Sequence, residues 1–239
     1  MNTKLNMIRK GIKDVWWRPY MVSGARFSAN DIPFCPTTSA ELPKRIITYK
    51  EAKEEYRKQL RRGNKDFFND AFVCFYEDDH EFDSIFGIWF RSKQAHKILS
   101  HFAGIITPDF LLYQDFPLPL KLWNTYRMRA FGYWYGTLCG HAVINNARWG
   151  THETYWYCFD GIPENSVVAV STLGGDPRKL ENRERFEEGL RKLVRRLHPH
   201  TIIVYGSANY KCFKELEKQG ITILAYPGKT NKAFAGRAK

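Results

Sequence analysis

Four apolar runs in the second half of the chain each stop at a cluster of polar or small residues and then lead into a helix-patterned stretch. They are GIITPDF (Gly104–Phe110), AVINNARWG (Ala142–Gly150), VVAVSTLGG (Val167–Gly175) and TIIVYGSAN (Thr201–Asn209). Runs that are continuously apolar, rather than alternating, suit strands covered on both faces, as in a parallel sheet. A strand that returns through a helix to a parallel neighbour places every strand end on one edge, and such folds bind ligands there. The pattern therefore predicts an α/β fold in one domain. We expect a mostly parallel sheet of about seven strands with helices on both faces, as an open doubly wound sheet or a distorted β/α barrel.

The rest of the chain fits that alternation. Residues 1–43 are punctuated by glycine and proline and read as an irregular N-terminal arm, with one short strand at Met21–Phe27. The α/β domain is expected over 44–227 and a basic tail over 228–239. Within the domain, Arg45–Thr48 and Ala71–Tyr76 read as strands. Tyr49–Arg62 reads as a charged helix with opposite charges at i,i+4. Helices are also expected over Ser92–Phe102, Leu118–Tyr135, Glu153–Phe159, Pro177–Leu197 and Tyr210–Gln219, and a last strand over Ile221–Tyr226. The Leu118–Tyr135 stretch is apolar almost all round and should be buried.

Several classes are excluded or disfavoured. No apolar run approaches the roughly 18 residues of a membrane span, so no membrane partner is expected. The N-terminus is basic but has no apolar region before a cleavage site, which points to a cytoplasmic protein. Five cysteines, Cys35, Cys74, Cys139, Cys158 and Cys212, are widely spaced without a CxxC, which argues against a zinc site or a disulfide framework. Cys35, in IPFCP, is the one expected to be exposed. No HExxH, GxSxG or GxGxxG occurs. The GKT at 228–230 lacks the upstream glycine of a phosphate loop.

Charge is unevenly spread. The net charge is +12, yet from Phe67 to Asp160 there are 7 Lys and Arg against 10 Asp and Glu, and the remainder carries 30 against 15. A basic periphery around a neutral-to-acidic centre can hold a polyanion. A lysine-rich solvated surface, helped by i,i+4 pairs of opposite charge, explains the same distribution equally well.

Four groups of residues are candidates for chemistry. The first is acidic: Asp78, Asp79, His80, Glu81 and Asp83 follow one strand, and Asp109 ends the next. Asp79 and Asp109 together could hold Mg²⁺ or Mn²⁺ as catalytic metal ligands, or they could simply cap turns. The second is Asn145, Asn146, Arg148 and Trp149. Amides, a guanidinium and an indole after a core strand must find partners. Asn146 and Arg148 could act on a phosphate, with Asn145 and Trp149 binding the ligand; alternatively Arg148 pairs with Asp109 or Asp160 and Trp149 is core. The third comprises Ser171 and Thr172, then Gly174–Gly175, and Tyr205, Gly206 and Ser207, where small residues let main-chain N–H groups approach an anion. The fourth is Asn124, Arg127 and Arg129 on the apolar helix, which read best as an internal polar network, with Arg127 reaching the strand-end site as the alternative. For nucleic acid, Arg178, Lys179, Arg183, Arg191 and Arg195 are the expected phosphate contacts, with Trp149 and Tyr205 as stacking faces.

The segments Thr107–Trp134, Val143–Gly150, Tyr157–Gly175 and His200–Phe213 together resemble the bacterial and phage family called domain of unknown function 4417. The resemblance runs from about Ile32 to the tail. It transfers no catalytic residue, but it implies a bacterium, phage or mobile element as the setting and so favours nucleic acid as a partner. The first expectation is thus a nucleic-acid-binding or nucleic-acid-processing protein, with metal dependence left open. The others are an enzyme or binding protein for a small phosphorylated or nucleotide-like ligand at the strand ends, and a non-enzymatic interaction protein.

Overall fold

Every strand pairs in parallel with the strand before it in sequence, so the sheet order is simply β1 to β7. The computed structural model describes residues 16–175 and 177–228. The strands are β1 (Ile46–Thr48), β2 (Asn69–Cys74), β3 (Phe102–Ile106), β4 (Val143–Asn146), β5 (Val167–Ser171), β6 (Thr201–Tyr205) and β7 (Thr222–Tyr226). The helices are α1 (Tyr49–Arg61), α2 (Ser92–Leu99), α3 (Leu118–Tyr133), α4 (Leu180–Leu197) and α5 (Lys211–Lys218).

Period-two alternation sorts the strand residues between two cores. Val73, Phe75, Ile105, Val143, Val168, Val170, Ile202 and Val204 pack with the helices in the larger core. Ile46, Phe72, Cys74, Tyr76, Ile106, Ile144, Ala169, Ile203 and Tyr205 form a second core that contains no helix residue. Tyr76, just beyond β2, stacks on Tyr205 of β6 with ring centroids 5.4 Å apart. Four strand spacings of about 4.8 Å separate these strands in a flat sheet. The rings can meet only because the sheet curls until its inner face closes on itself.

The seven-stranded parallel α/β domain expected from sequence is therefore present. Of the two arrangements left open, sequential order selects the barrel-like one. Right-handed crossovers between successive neighbours all fall on the same side, so the curl of the sheet, not a second helix layer, covers the inner face. The Tyr226 hydroxyl donates to the carbonyl of Pro43, just before β1, and bridges the seam between the edge strands.

Local departures have physical causes. Met21–Phe27 is not a strand: Pro19–Val22 forms a short 3₁₀ turn and Phe27 makes an isolated bridge to Pro33. The expected helix over Glu153–Phe159 shrinks to a 3₁₀ turn at His152–Thr154. Its carbonyls are taken by side chains instead: Arg129 reaches those of Cys158 and Asp160, and Arg196 those of Tyr155 and Trp156. The long basic helix starts at Leu180, not Pro177, and α3 runs on into a π-helical turn at Trp134–Leu138. Cys35 is fully buried, not exposed, and burial pushes its thiol up to about 12. No helix among the described residues is long and apolar enough to cross a membrane.

Candidate functional site

The carboxyl ends of β2, β3, β4 and β5 and the first turns of α4 enclose a cleft of about 260 Å³. Its floor is built from inner-face residues. Tyr76 and Asn146 continue the alternation that places Cys74 and Ile144 inside the curl. Asn146 is 1% exposed and fully used. Its amide nitrogen donates to Asp109 Oδ1 at 2.8 Å, its side-chain oxygen accepts from the Tyr76 hydroxyl at 3.0 Å, and its main-chain N–H donates to Thr107 Oγ1 at 2.8 Å.

Arg148 forms one wall. Its Nη1 donates to Asp109 Oδ2 at 3.3 Å, a long contact, and its buried Nε has no hydrogen-bond partner among the described residues. A Cβ on Gly174 would come within 2.8 Å of that Nη1, so this glycine lets the β5 loop close over the guanidinium. Trp149 continues the wall. Its indole packs on Phe186 and Phe159, and Gly189 of α4 makes room for it, since a Cβ there would sit 2.0 Å from Nε1. Ser171, Gly175, Asn182 and Arg185 face the cleft from the other side, and Tyr113 and Gln114 from the loop after β3.

Three electrostatic features frame the cleft. Burial, then the neighbouring Asp83 and Asp109 carboxylates, hold Asp79 above the usual carboxylate range, opposed by Arg148. Behind the floor, Arg129 is completely buried, and its hydrogen bonds run to the main-chain carbonyls of Asn146, Cys158 and Asp160. Burial lowers its guanidinium to about 10, which leaves it charged at neutral pH. Burial and Asp109 raise the Tyr76 phenol well above its ordinary value, so it acts as a neutral donor.

The predicted residues divide sharply. Asp109, Asn146, Arg148, Trp149 and Ser171 come together in the cleft, with Gly174–Gly175. Asn145 faces the helix layer, where its amide donates to the Cys35 carbonyl and ties down the arm. Tyr205 offers no stacking face to a ligand: it is 0% exposed and spends its ring on Tyr76. Thr172 is buried against Gly206, whose positive φ and contact with Thr172 Oγ1 make it a turn residue, and Ser207 Oγ accepts from Asn209 N–H. Asp79 adjoins the cleft electrostatically, but Asp109 already serves Asn146 and Arg148. Among the described residues no three His, Cys, Asp or Glu side chains gather as a metal site.

The basic residues on and just before α4 are spread along its length. Arg178, Lys179 and Arg183 lie at the cleft end, where Arg183 Nε donates to the Pro177 carbonyl. Arg191 and Arg195 follow toward the far end of α4, Arg195 about 15 Å along the helix from Arg185. On the apolar helix, Arg127 pairs with both oxygens of Asp83 at 2.7 and 2.9 Å and donates to Asn124, an internal network as expected. Sequence reading missed Tyr76, Tyr113, Asn182 and Arg185. Only Tyr76 had a signal, its inward parity on β2.

In comparison with known proteins, residues 26–227 match the model of the domain of unknown function family DUF4417. The chain belongs to that family. The match takes in part of the N-terminal arm as well as all seven strands. Among curated relatives, the Gene 1 protein of Mycobacterium phage L5 is 35% identical over 143 residues, 59% of this chain and 60% of its own length. The Gene 1 protein of Mycobacterium phage D29 is 34% identical over 137 residues, 57% of this chain and 48% of its own. The matched segments thus span about half the length of these phage proteins, or a little more. No solved structure matches the chain.

Proposed function

We propose that this DUF4417 protein binds a small phosphorylated, nucleotide-like ligand in the cleft at the carboxyl ends of β2 to β5. The observation that carries the reading is Arg148: a mostly buried guanidinium on the cleft wall that, among the described residues, has one long contact to Asp109 and no partner for Nε. A buried donor without a partner is costly, and a phosphate oxygen is the acceptor that best matches a guanidinium fork. Arg185 and Asn182 at the rim and the buried charge of Arg129 favour an anion. The half-buried indole of Trp149 supplies an apolar wall for a base or sugar. The volume suits a ligand the size of a mononucleotide fragment.

The test is thermal denaturation with inorganic phosphate, nucleoside monophosphates and sugar phosphates. We expect a saturable rise in Tm with at least one of them, lost in Arg148→Lys and kept in Arg191→Ala/Arg195→Ala. No shift with any of these, in protein that melts cooperatively, overturns the reading.

The excess of positive charge outside residues 67–160 supports a second reading, binding or processing of nucleic acid, with Mg²⁺ or Mn²⁺ at Asp79 and Asp109 for any cleavage. It predicts oligonucleotide binding that survives physiological salt and weakens in Arg191→Ala/Arg195→Ala. Binding that vanishes at that salt reduces the charge to a generic attraction.

A further inference from the structure

At the other end of the sheet from the cleft, two histidines converge on each other. His96 lies on α2 and His141 just precedes β4, and their Nε2 atoms are 3.0 Å apart. The rings are locked by aromatic neighbours. Tyr135 stacks on His141 with centroids 4.5 Å apart and meets the edge of His96 at 5.9 Å, while Trp134 flanks His96 at 5.8 Å. Both aromatic residues sit in or beside the π-helical turn Trp134–Leu138, an irregularity common at functional sites. The His141 carbonyl accepts from Thr38 Oγ1 at 2.6 Å, which fixes the backbone that carries the ring.

We propose that His96 and His141 form a binding site for a divalent transition-metal ion of the copper or nickel class. The inference is independent of the cleft and goes beyond the function proposed for it. Metal–imidazole bonds are about 2.0–2.1 Å. Two nitrogens 3.0 Å apart at that bond length subtend about 95° at the ion, the angle of two adjacent positions in a tetragonal or octahedral shell. Tetragonal nitrogen sites select Cu²⁺ or Ni²⁺, and Cu²⁺ binds nitrogen sites most strongly among the first-row divalent ions. Both rings are partly exposed, so an ion can enter and water can complete its shell. Burial lowers both imidazoles below their ordinary value, and the proximity of His96 lowers His141 further. Both shifts favour the neutral imidazole, the form that binds a metal. Among the described residues no third His, Cys, Asp or Glu joins them, which leaves the remaining positions to solvent. Without an ion the two nitrogens can only share one proton.

The experiment is a Cu²⁺ titration of the full chain followed by electron paramagnetic resonance and by the rise in Tm. In the parent we expect one tight Cu²⁺ with hyperfine coupling to two imidazole nitrogens. His96→Gln and His141→Gln should each lose one nitrogen coupling and weaken binding at least about tenfold, since losing even an outer-shell partner costs that much. His198→Gln, at an exposed residue on a different turn, should behave like the parent. Metal-free circular dichroism checks that each variant is folded. If a variant does not fold, the count of coupled nitrogens in the parent decides. A parent spectrum without two imidazole couplings, or Cu²⁺ affinity and spectra unchanged in folded His96→Gln and His141→Gln, overturns the proposal.

Discussion

At the scale of single residues, Asn146 holds most of the cleft together. It connects Tyr76 on one side to Asp109 on the other, and its carbonyl takes a hydrogen bond from Arg129. Asn146→Ala strands a buried phenol and loosens a buried carboxylate. Chemical denaturation should show a loss of about 2–4 kcal/mol; a loss below 1 kcal/mol would mean that water replaces the amide. Gly189→Ala tests the other wall, because the new Cβ would fall 2.0 Å from Trp149 Nε1, and both groups sit in packed surroundings. We expect a cost of about 1–3 kcal/mol, with a change in Trp149 fluorescence. Part of this was legible. Asn146 and Arg148 stand out because polar groups directly after a core strand must find partners. Asn145 was drawn into the same group by adjacency alone, although alternate residues of a strand face opposite sides. Tyr205, at a strand end, reads as accessible for a different reason, its position, and only the curl of the sheet buries it.

At the scale of elements, hydrophobic periodicity located every strand and every long helix to within a few residues. It failed where side chains outside the segment decide the backbone. The carbonyls of the β4–β5 connection are bonded by Arg129 and Arg196, from α3 and α4, and no local pattern signals that. The acidic stretch after β2 shows the same principle. Glu81 does not face the cleft. It bridges Lys50 and Lys53 of α1 at 2.7 and 2.8 Å, and these hydrogen bonds depress its carboxyl to about 2 from an ordinary 4.5. A depressed carboxylate contributes stability that is complete above its unfolded value and is lost as pH falls through the folded one. The contribution of this latch should therefore fade between about pH 4.5 and pH 2. Glu81→Gln should be the less stable protein at pH 7 and match the parent near pH 2, as urea unfolding at the two pH values would show. Equal stability at pH 7 would mean that solvent screening cancels the pairing.

At the scale of the whole molecule, the curl that makes the cleft also leaves a seam. Each internal strand has hydrogen-bonded neighbours on both sides, but β1 and β7 pair only inward, to β2 and β6. β7 is also the least covered strand, with Thr222 and Ala225 exposed. The inner core needs this incomplete closure: Tyr76 and Tyr205 fill the space a tighter barrel would not contain. Tyr205→Ala should accordingly cost about 3–5 kcal/mol, because the ring it removes spans the interior. The seam itself depends on fewer interactions, among them the Tyr226 hydroxyl on the Pro43 carbonyl. Amides of β7 should exchange with deuterium well ahead of those in β4, β5 and β6, whose opening requires breaking the central sheet. Tyr226→Phe should lower overall stability by about 1 kcal/mol while accelerating exchange in β7 selectively. Protection of β7 equal to that of β5 would mean that the edge is covered in solution by a further strand-forming segment, either the chain beyond Gly228 or a second copy. Repeating the exchange at several protein concentrations separates these, since only a second copy makes the protection concentration-dependent.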